Sequence, residues 1–330
     1  MSLLALFGTF ETGLVYALVA LGVLLSFRVL DFPDLTADGS FPLGAFACAV
    51  AMTAGIHPVL AIGIGFAAGA AAGVLTAWLH VKLGILQLLA GIIVMTALYS
   101  INLRIGDAPN VSLLGQKTIF DLFTPVLGSG MWQNAAVLLL ITLLIKFVLN
   151  WFFSTETGLA MRATGANPRM ARAQGISTNF MVVLGMAFSN GLIAMAGALF
   201  AQVAGGADVS AGLGTIVFGL AAVILGEALL PSKKMWVITL SVVIGSIVYR
   251  LFIMVAMGSE TLSGLGLKTQ DLNLITSVLV VCVMMLPKNS LGVMIVDFTY
   301  GSLTCSILLT GGSWLGFWMR KIWPSVCTTS

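Results

Sequence analysis

Eight runs of about twenty apolar residues, separated by short polar stretches, leave this chain few ways to fold. A run of that length is what one helical crossing of a lipid bilayer requires, because in lipid every backbone polar group must be satisfied within the segment. The runs fall near residues 7–28, 58–79, 85–103, 132–153, 179–204, 214–230, 235–257 and 271–287. Only 8% of the 330 residues are charged, against roughly 25% in an ordinary soluble domain. The 37 glycines suit helices whose backbones approach closely within a membrane. The expected fold class is therefore all-α: a polytopic membrane protein of about 9–10 transmembrane helices with two broken or re-entrant segments in an internal repeat.

The breaks are legible as interruptions of the apolar pattern. Residues 31–55 are only partly apolar and carry Asp31, Asp34 and Asp38 beside Pro33 and Pro42. They read as a broken segment followed by a short crossing near 43–56, with Asp31 and Asp34 solvated at a membrane edge. Irregular backbone at that depth is tolerated only where protein or a water-filled cavity surrounds it. Asp38 to Gly44 (DGSFPLG) and Asp208 to Gly214 (DVSAGLG) share the pattern D-x-S-x-x-L-G, one copy in each half of the chain. Paired broken-helix motifs in two halves point to a transport pathway; the alternative is a chance match in an apolar chain.

Orientation follows from the basic residues. Arg28, Lys82, Lys146, Arg162, Arg169, Arg172, Lys233, Lys234 and Lys288 fall at alternate loops, nine of the fifteen cations. That set marks the cytoplasmic side, and by parity the N-terminus lies outside. The first apolar run lacks a basic n-region and a cleavage site, so it is expected to stay. Residues 290–330 break the order. Trp314, Trp318 and Trp323 near Arg320 and Lys321 suit an interfacial anchor, and 290–330 is set apart as an atypical apolar tail from a transmembrane domain over 1–289. The four cysteines show no paired or metal-ligand spacing.

Between two spans lies Glu156 to Ile176, ETGLAMRATGANPRMARAQGI, a polar insertion that must sit in water. It describes a short helix: Asn167 at the N-cap, Pro168 at the first helical position, then RMARAQ, then Gly175 beyond the C-cap. Gly165 and Gly175 are expected to let the loop turn. Arg169 and Arg172 are three apart and share one helix face.

These residues carry a resemblance. GLVYALVALGVLLSFRVLDFPDLTADGSFPLGA resembles the opening of branched-chain amino acid and ribose-type ABC importer permeases. The 156–176 segment is similar to that family's coupling-helix loop, and GLAAVILGEALL at 219–230 to a segment late in its second half. The likeness covers about residues 11–287 and is closer to the aromatic amino acid-type branch than to the sugar branch; residues 290–330 depart from it. The resemblance implies a permease core in the bacterial cytoplasmic (inner) membrane, paired with a second permease copy. Cytoplasmic ATP-binding subunits would dock on the coupling helices, and an extracytoplasmic solute-binding protein would deliver the solute. ATP and Mg would belong to the partner subunit, with no cofactor on this chain. No G-x-x-x-x-G-K-[ST] motif occurs, so no ATP hydrolysis is expected here. Beyond these subunits the expected contact is membrane lipid, with no nucleic acid.

For the candidate site, Arg162, Asn167, Pro168, Arg169, Arg172 and Gly175 form the ATPase-coupling set, guanidinium groups being suited to a partner's groove. Their alternative role is setting topology and touching anionic lipid. Asp38, Ser40, Asp208, Ser210 and Arg250 are placed on the translocation pathway. Each Asp can accept from the Ser two residues on and cap the helix that begins there, or meet a solute's ammonium group. Arg250, deep in an apolar run, either pairs with a carboxylate inside the bundle or snorkels outward. Glu227 is a gate or structural residue within reach of Lys233 and Lys234. Asn102 and Asn190 are read as interhelical hydrogen bonds, and His57 and His80 have no ligand spacing. The resulting expectation is an ATP-driven importer for a small polar solute, an amino acid, working by alternating access. Alternatives are import of a sugar or nucleoside, an ion-coupled secondary transporter, and a receptor or scaffold subunit.

Overall fold

The computed structural model describes residues 3–127, 132–232 and 234–258. The expected crossing at 271–287 and the tail at 290–330 lie outside the described residues. Among the described residues eleven α-helices run in order: α1 (Leu3–Val23), α2 (Ala37–Thr53), α3 (Pro58–Leu83), α4 (Gln87–Gly106), α5 (Ile119–Leu127), α6 (Gln133–Ser154), α7 (Glu156–Ala166), α8 (Pro168–Ala173), α9 (Thr178–Ala204), α10 (Thr215–Leu229) and α11 (Met235–Gly258). A π-helical turn, Leu24–Val29, continues α1, and a 3₁₀ turn, Val209–Gly212, precedes α10. Among the described residues, seven helical stretches are long and apolar enough to cross a membrane; α2, with 17 residues, is shorter. The chain is an all-α, multi-pass membrane protein, which in a bacterium places it in the cytoplasmic membrane.

Two helices form the centre. α1 is buried on nearly every face from Leu14 to Leu25, and α9 is buried along most of its length. A helix apolar all round belongs in the interior of a bundle. α3, α4 and α6 instead turn large apolar side chains outward, Trp78, Tyr99, Phe147 and Trp151 among them, a surface that lipid covers.

Small residues set the spacing at the centre. A β-carbon on Gly44 of α2 would collide with the backbone of Ala194 in α9, and one on Gly197 of α9 with the carbonyl of Phe41. On α3, Gly69 and Gly73 meet Asn190 and Met186 in the same way. Without a hydrophobic drive between helices in lipid, such close backbone contact is what holds them together.

At one end, the strand β1 (Asn110–Ser112) pairs antiparallel with β2 (Gly206–Asp208), Val111 facing Ala207. The α4–α5 and α9–α10 connections thus meet. α9 begins at the 155–177 loop and ends at this strand pair, so the loop and the strands lie on opposite sides. Arg28, Arg162, Arg169, Arg172 and Lys234 share the loop's side, as the positive-inside rule requires. Lys146 is a correction: it is in no loop but within α6, 5% exposed, with Nζ 4.2 Å from the ring centre of Trp236.

The first break ends earlier than expected. Residues 30–36 carry no helix, and α2 starts at Ala37 rather than near 43. Asp31, exposed and at φ 54°, turns the chain out of the π-helical end. Phe32, Asp34 and Thr36 are then fully enclosed. Asp34 is therefore not solvated at a membrane edge. One of its carboxylate oxygens accepts the Thr36 N–H at 2.8 Å, and the other accepts from Asn190 Nδ2 at 2.7 Å. Asn190 Oδ1 in turn accepts from the Ser40 hydroxyl at 2.7 Å, and the Thr36 and Thr76 hydroxyls bond each other at 2.8 Å. Asn190 stands at the midpoint of the 27-residue α9, about 18 Å from its start at 1.5 Å per residue. The extended piece enters to mid-bilayer, and α2 completes the crossing.

Two outcomes are expected from this packing. Gly44→Val forces α2 off α9 and should cost roughly 1–3 kcal/mol, read as a lower unfolding midpoint in detergent. Asn190→Leu leaves one oxygen of the Asp34 carboxylate, and the Ser40 hydroxyl, each without its buried partner, while the Thr36 N–H still serves the other Asp34 oxygen. At about 1–3 kcal/mol for each unsatisfied group, and more for a charge, it should lower that midpoint further than Asp34→Asn does.

Candidate functional site

The polar loop folds as two helices, not one. Thr155 caps α7, its hydroxyl accepting from the Gly158 N–H at 3.3 Å. α8 follows after a single residue and is only six residues long. Asn167 stands at its N-cap, with Oδ1 accepting from the N–H groups of both Arg169 and Met170 at 3.1 Å, and Pro168 opens the helix. At the far end Gly175 takes φ +83°. The Ile176 N–H reaches back to the Ala171 carbonyl and the Gly175 N–H to that of Arg172, both at 3.0 Å. This doubly bonded ending requires a residue tolerant of positive φ. Arg162, Arg169, Arg172 and Met170 are exposed, while Ala171 is buried. The result is a short helix, fixed at both ends, that presents cations and one thioether to water.

Gly165 has a different part from the one expected. It does not turn the loop; it lies in the last turn of α7, where a β-carbon would collide with the carbonyl of Val29. Leu30 and Met161 of α7 both pack next to Gly185 of α9. The loop is thus seated on the residues that lead into the extended 30–36 segment.

Asp38 and Asp208 hold unlike positions despite their shared motif. Asp208 Oδ1 accepts from the Ser210 N–H at 2.7 Å and the Ser210 hydroxyl at 2.6 Å, capping the 3₁₀ turn. Asp38 does not touch Ser40. Its carboxylate crosses to the start of α10, accepting from the Ile216 N–H at 2.8 Å and the Gly214 N–H at 3.3 Å. These donors belong to the first turn of a helix, where N–H groups have no partner of their own and a negative charge is favoured. By geometry the counterpart of Asp208 is Asp34: each accepts from the N–H two residues on, ahead of a helical turn. Asn102 Nδ2 donates to the Gly39 carbonyl at 3.4 Å. The amino ends of α2 and α10 therefore meet inside the bundle, with Asp38 between them.

Glu227 pairs with Arg28, Oε1 to Nε 2.8 Å, joining the end of α10 to the π-helical end of α1. The partner seen among the described residues is Arg28, 199 residues away in sequence, rather than Lys234; Lys233 lies outside the described residues. Arg250 finds no carboxylate among the described residues. Its Cζ lies 4.0 Å from the ring centre of Tyr16 and 4.8 Å from that of Phe218. Arg28 and the aromatic partners could not be found from sequence, because each lies on a helix remote from the residue it meets.

Residues 5–287 match the family described as branched-chain amino acid transport system, permease component. The chain is 37% identical over 268 residues to a tyrosine transport system permease protein of Clostridioides difficile (strain R20291), covering 81% of this chain and 86% of that one. It is 34% identical over 217 residues to an uncharacterized protein of Rickettsia prowazekii (strain Madrid E), covering 66% of this chain and 75% of its relative. No solved structure matches. With a match that spans most of its length and a permease among its relatives, the chain belongs to the branched-chain amino acid permease family of membrane transport proteins.

Proposed function

We propose that this chain is the membrane-spanning subunit of an ATP-driven importer for an amino acid, working by alternating access. The observation that carries the reading is the seating of the α7–α8 loop on Val29 and Leu30, directly ahead of the break at 30–36. A push on α8 reaches α7, then the π-helical end of α1, then the extended segment whose Asp34 is tied to α9. The first turn of α2 follows, and through Asp38 so does α10.

In this reading Arg162, Arg169 and Arg172 contact a cytoplasmic ATP-binding subunit, which supplies ATP and Mg. Asn167, Pro168 and Gly175 keep α8 helical so that the contact transmits force. Asp38, Ser40, Asp208, Ser210 and Arg250 belong to the pathway side of the mechanism, and the Arg28–Glu227 pair closes its cytoplasmic end. As an exposed ion pair it adds only about 0–1 kcal/mol of stability, which suits a contact that opens and closes. An extracytoplasmic binding protein delivers the solute, and a second permease copy completes the core. The transmembrane unit runs over 1–289, with 290–330 appended. The tyrosine named for the relative makes an aromatic amino acid the first solute to try.

Charge reversal at Arg169→Glu with Arg172→Glu should abolish ATP-dependent uptake while the protein still reaches the membrane. Uptake unchanged by the double reversal would sink the coupling assignment. Asn167→Ala removes the α8 cap, worth roughly 1 kcal/mol, and should lower the ATPase stimulation measured on the assembled transporter without abolishing it.

A further inference from the structure

Five aromatic rings from five helices form a cluster, and two of them lie against Arg250. Tyr16 of α1 stacks on Phe41 of α2 with ring centres 5.8 Å apart, and lies 6.4 Å from Phe200 of α9 and 5.2 Å from Phe218 of α10. Phe218 meets Tyr249 of α11 edge-on at 5.6 Å. The Arg250 guanidinium lies over Tyr16 and Phe218. Aromatic rings attract the face of a guanidinium, whereas its five N–H donors point outward in its own plane. The stacked arrangement therefore leaves the donor edge unused. Arg250 Nε is buried with no hydrogen-bond partner.

A guanidinium in an apolar helix is costly unless a counter-charge or hydrogen bonds compensate it, and the rings supply only part of that. The Asp38 carboxylate is engaged with α10 and Glu227 with Arg28. Arg250, Phe200 and Phe218 are each partly exposed, over a floor of buried Tyr16 and Phe41. The place is thus partly exposed, apolar at its base, and without a free anion for Arg250 among the described residues. A zwitterionic amino acid with an aromatic side chain offers both missing parts: a carboxylate for bidentate pairing with the guanidinium edge, and a ring for the aromatic floor.

We propose that Arg250 is a binding site for the α-carboxylate of the transported amino acid, with Tyr16 and Phe218 seating its side chain. This rests on the reading of the chain as an amino acid importer and adds to it the residue that holds the solute within the membrane.

The assembled transporter, purified in detergent, is treated with phenylglyoxal, and modification of Arg250 is followed by peptide mass spectrometry. L-Tyrosine should slow modification at Arg250 severalfold, whereas tyramine, which lacks the carboxylate, should not. Equal modification in every condition, protection by both compounds, or no modification at all would overturn the site. In uptake, Arg250→Gln should raise KM for L-tyrosine roughly tenfold or more. An unchanged KM, with wild-type uptake intact, would overturn this site alone. Failure of the wild-type assembly to take up any common amino acid would instead overturn the importer reading.

Discussion

A stretch of backbone without helix, buried at mid-bilayer, is the constraint around which the rest of this protein is arranged. Beyond the exposed Asp31 this stretch is enclosed, so the buried polar groups of Phe32, Asp34 and Thr36 need partners from the protein. Asn190 supplies the central one, donating to Asp34 and accepting from Ser40 with the two ends of a single amide. For Asn190 to reach both, α9 must lie against α2 and α3 with almost no side chain between them. That is why glycines and alanines face each other at Gly44, Gly69, Gly73, Ala194 and Gly197. The small-residue spacing and the polar network depend on each other: widening the first disconnects the second.

The break also creates the meeting of α2 and α10. A helix that starts at mid-depth exposes unbonded N–H groups to an apolar interior, and two such starts face one another here. Asp38, in the first turn of α2, serves the first turn of α10. One carboxylate thereby joins the two halves of the chain across 178 residues. The polar loop at the cytoplasmic side reaches the same place by packing, through Gly165 and Val29, without a hydrogen-bonded wire.

Local signals in the sequence carried much of this. The apolar run lengths mark the crossings, and Asn167-Pro168 with Gly175 marks both ends of α8, because capping acts within a few residues. The cluster of Asp31, Pro33 and Asp34 marks the break. What was not legible is long-range. Asp34 reads as a solvated carboxylate until Asn190 is brought beside it, and α2 reads as starting near 43 until the Asp34 turn is seen to start it at Ala37. The shared D-x-S-x-x-L-G letters suggested equal stations for Asp38 and Asp208, yet Asp38 has its partners on another helix. Glu227 has Lys234 a few residues away, yet its ion pair among the described residues is with Arg28, since the packing of α1 on α10 decides the distance. Arg250 meets rings, and no carboxylate among the described residues, for the same reason.

The pairing of β1 with β2 has a mechanical side. Backbone hydrogen bonds between two extended strands resist sliding far better than contacts between smooth helices do. Leu113 and Val209 lengthen that seam at its two ends, donating to the carbonyls of Gly205 and Pro109. The outer ends of α4 and α9 are therefore riveted, and any parting of the helices on that face has to hinge elsewhere.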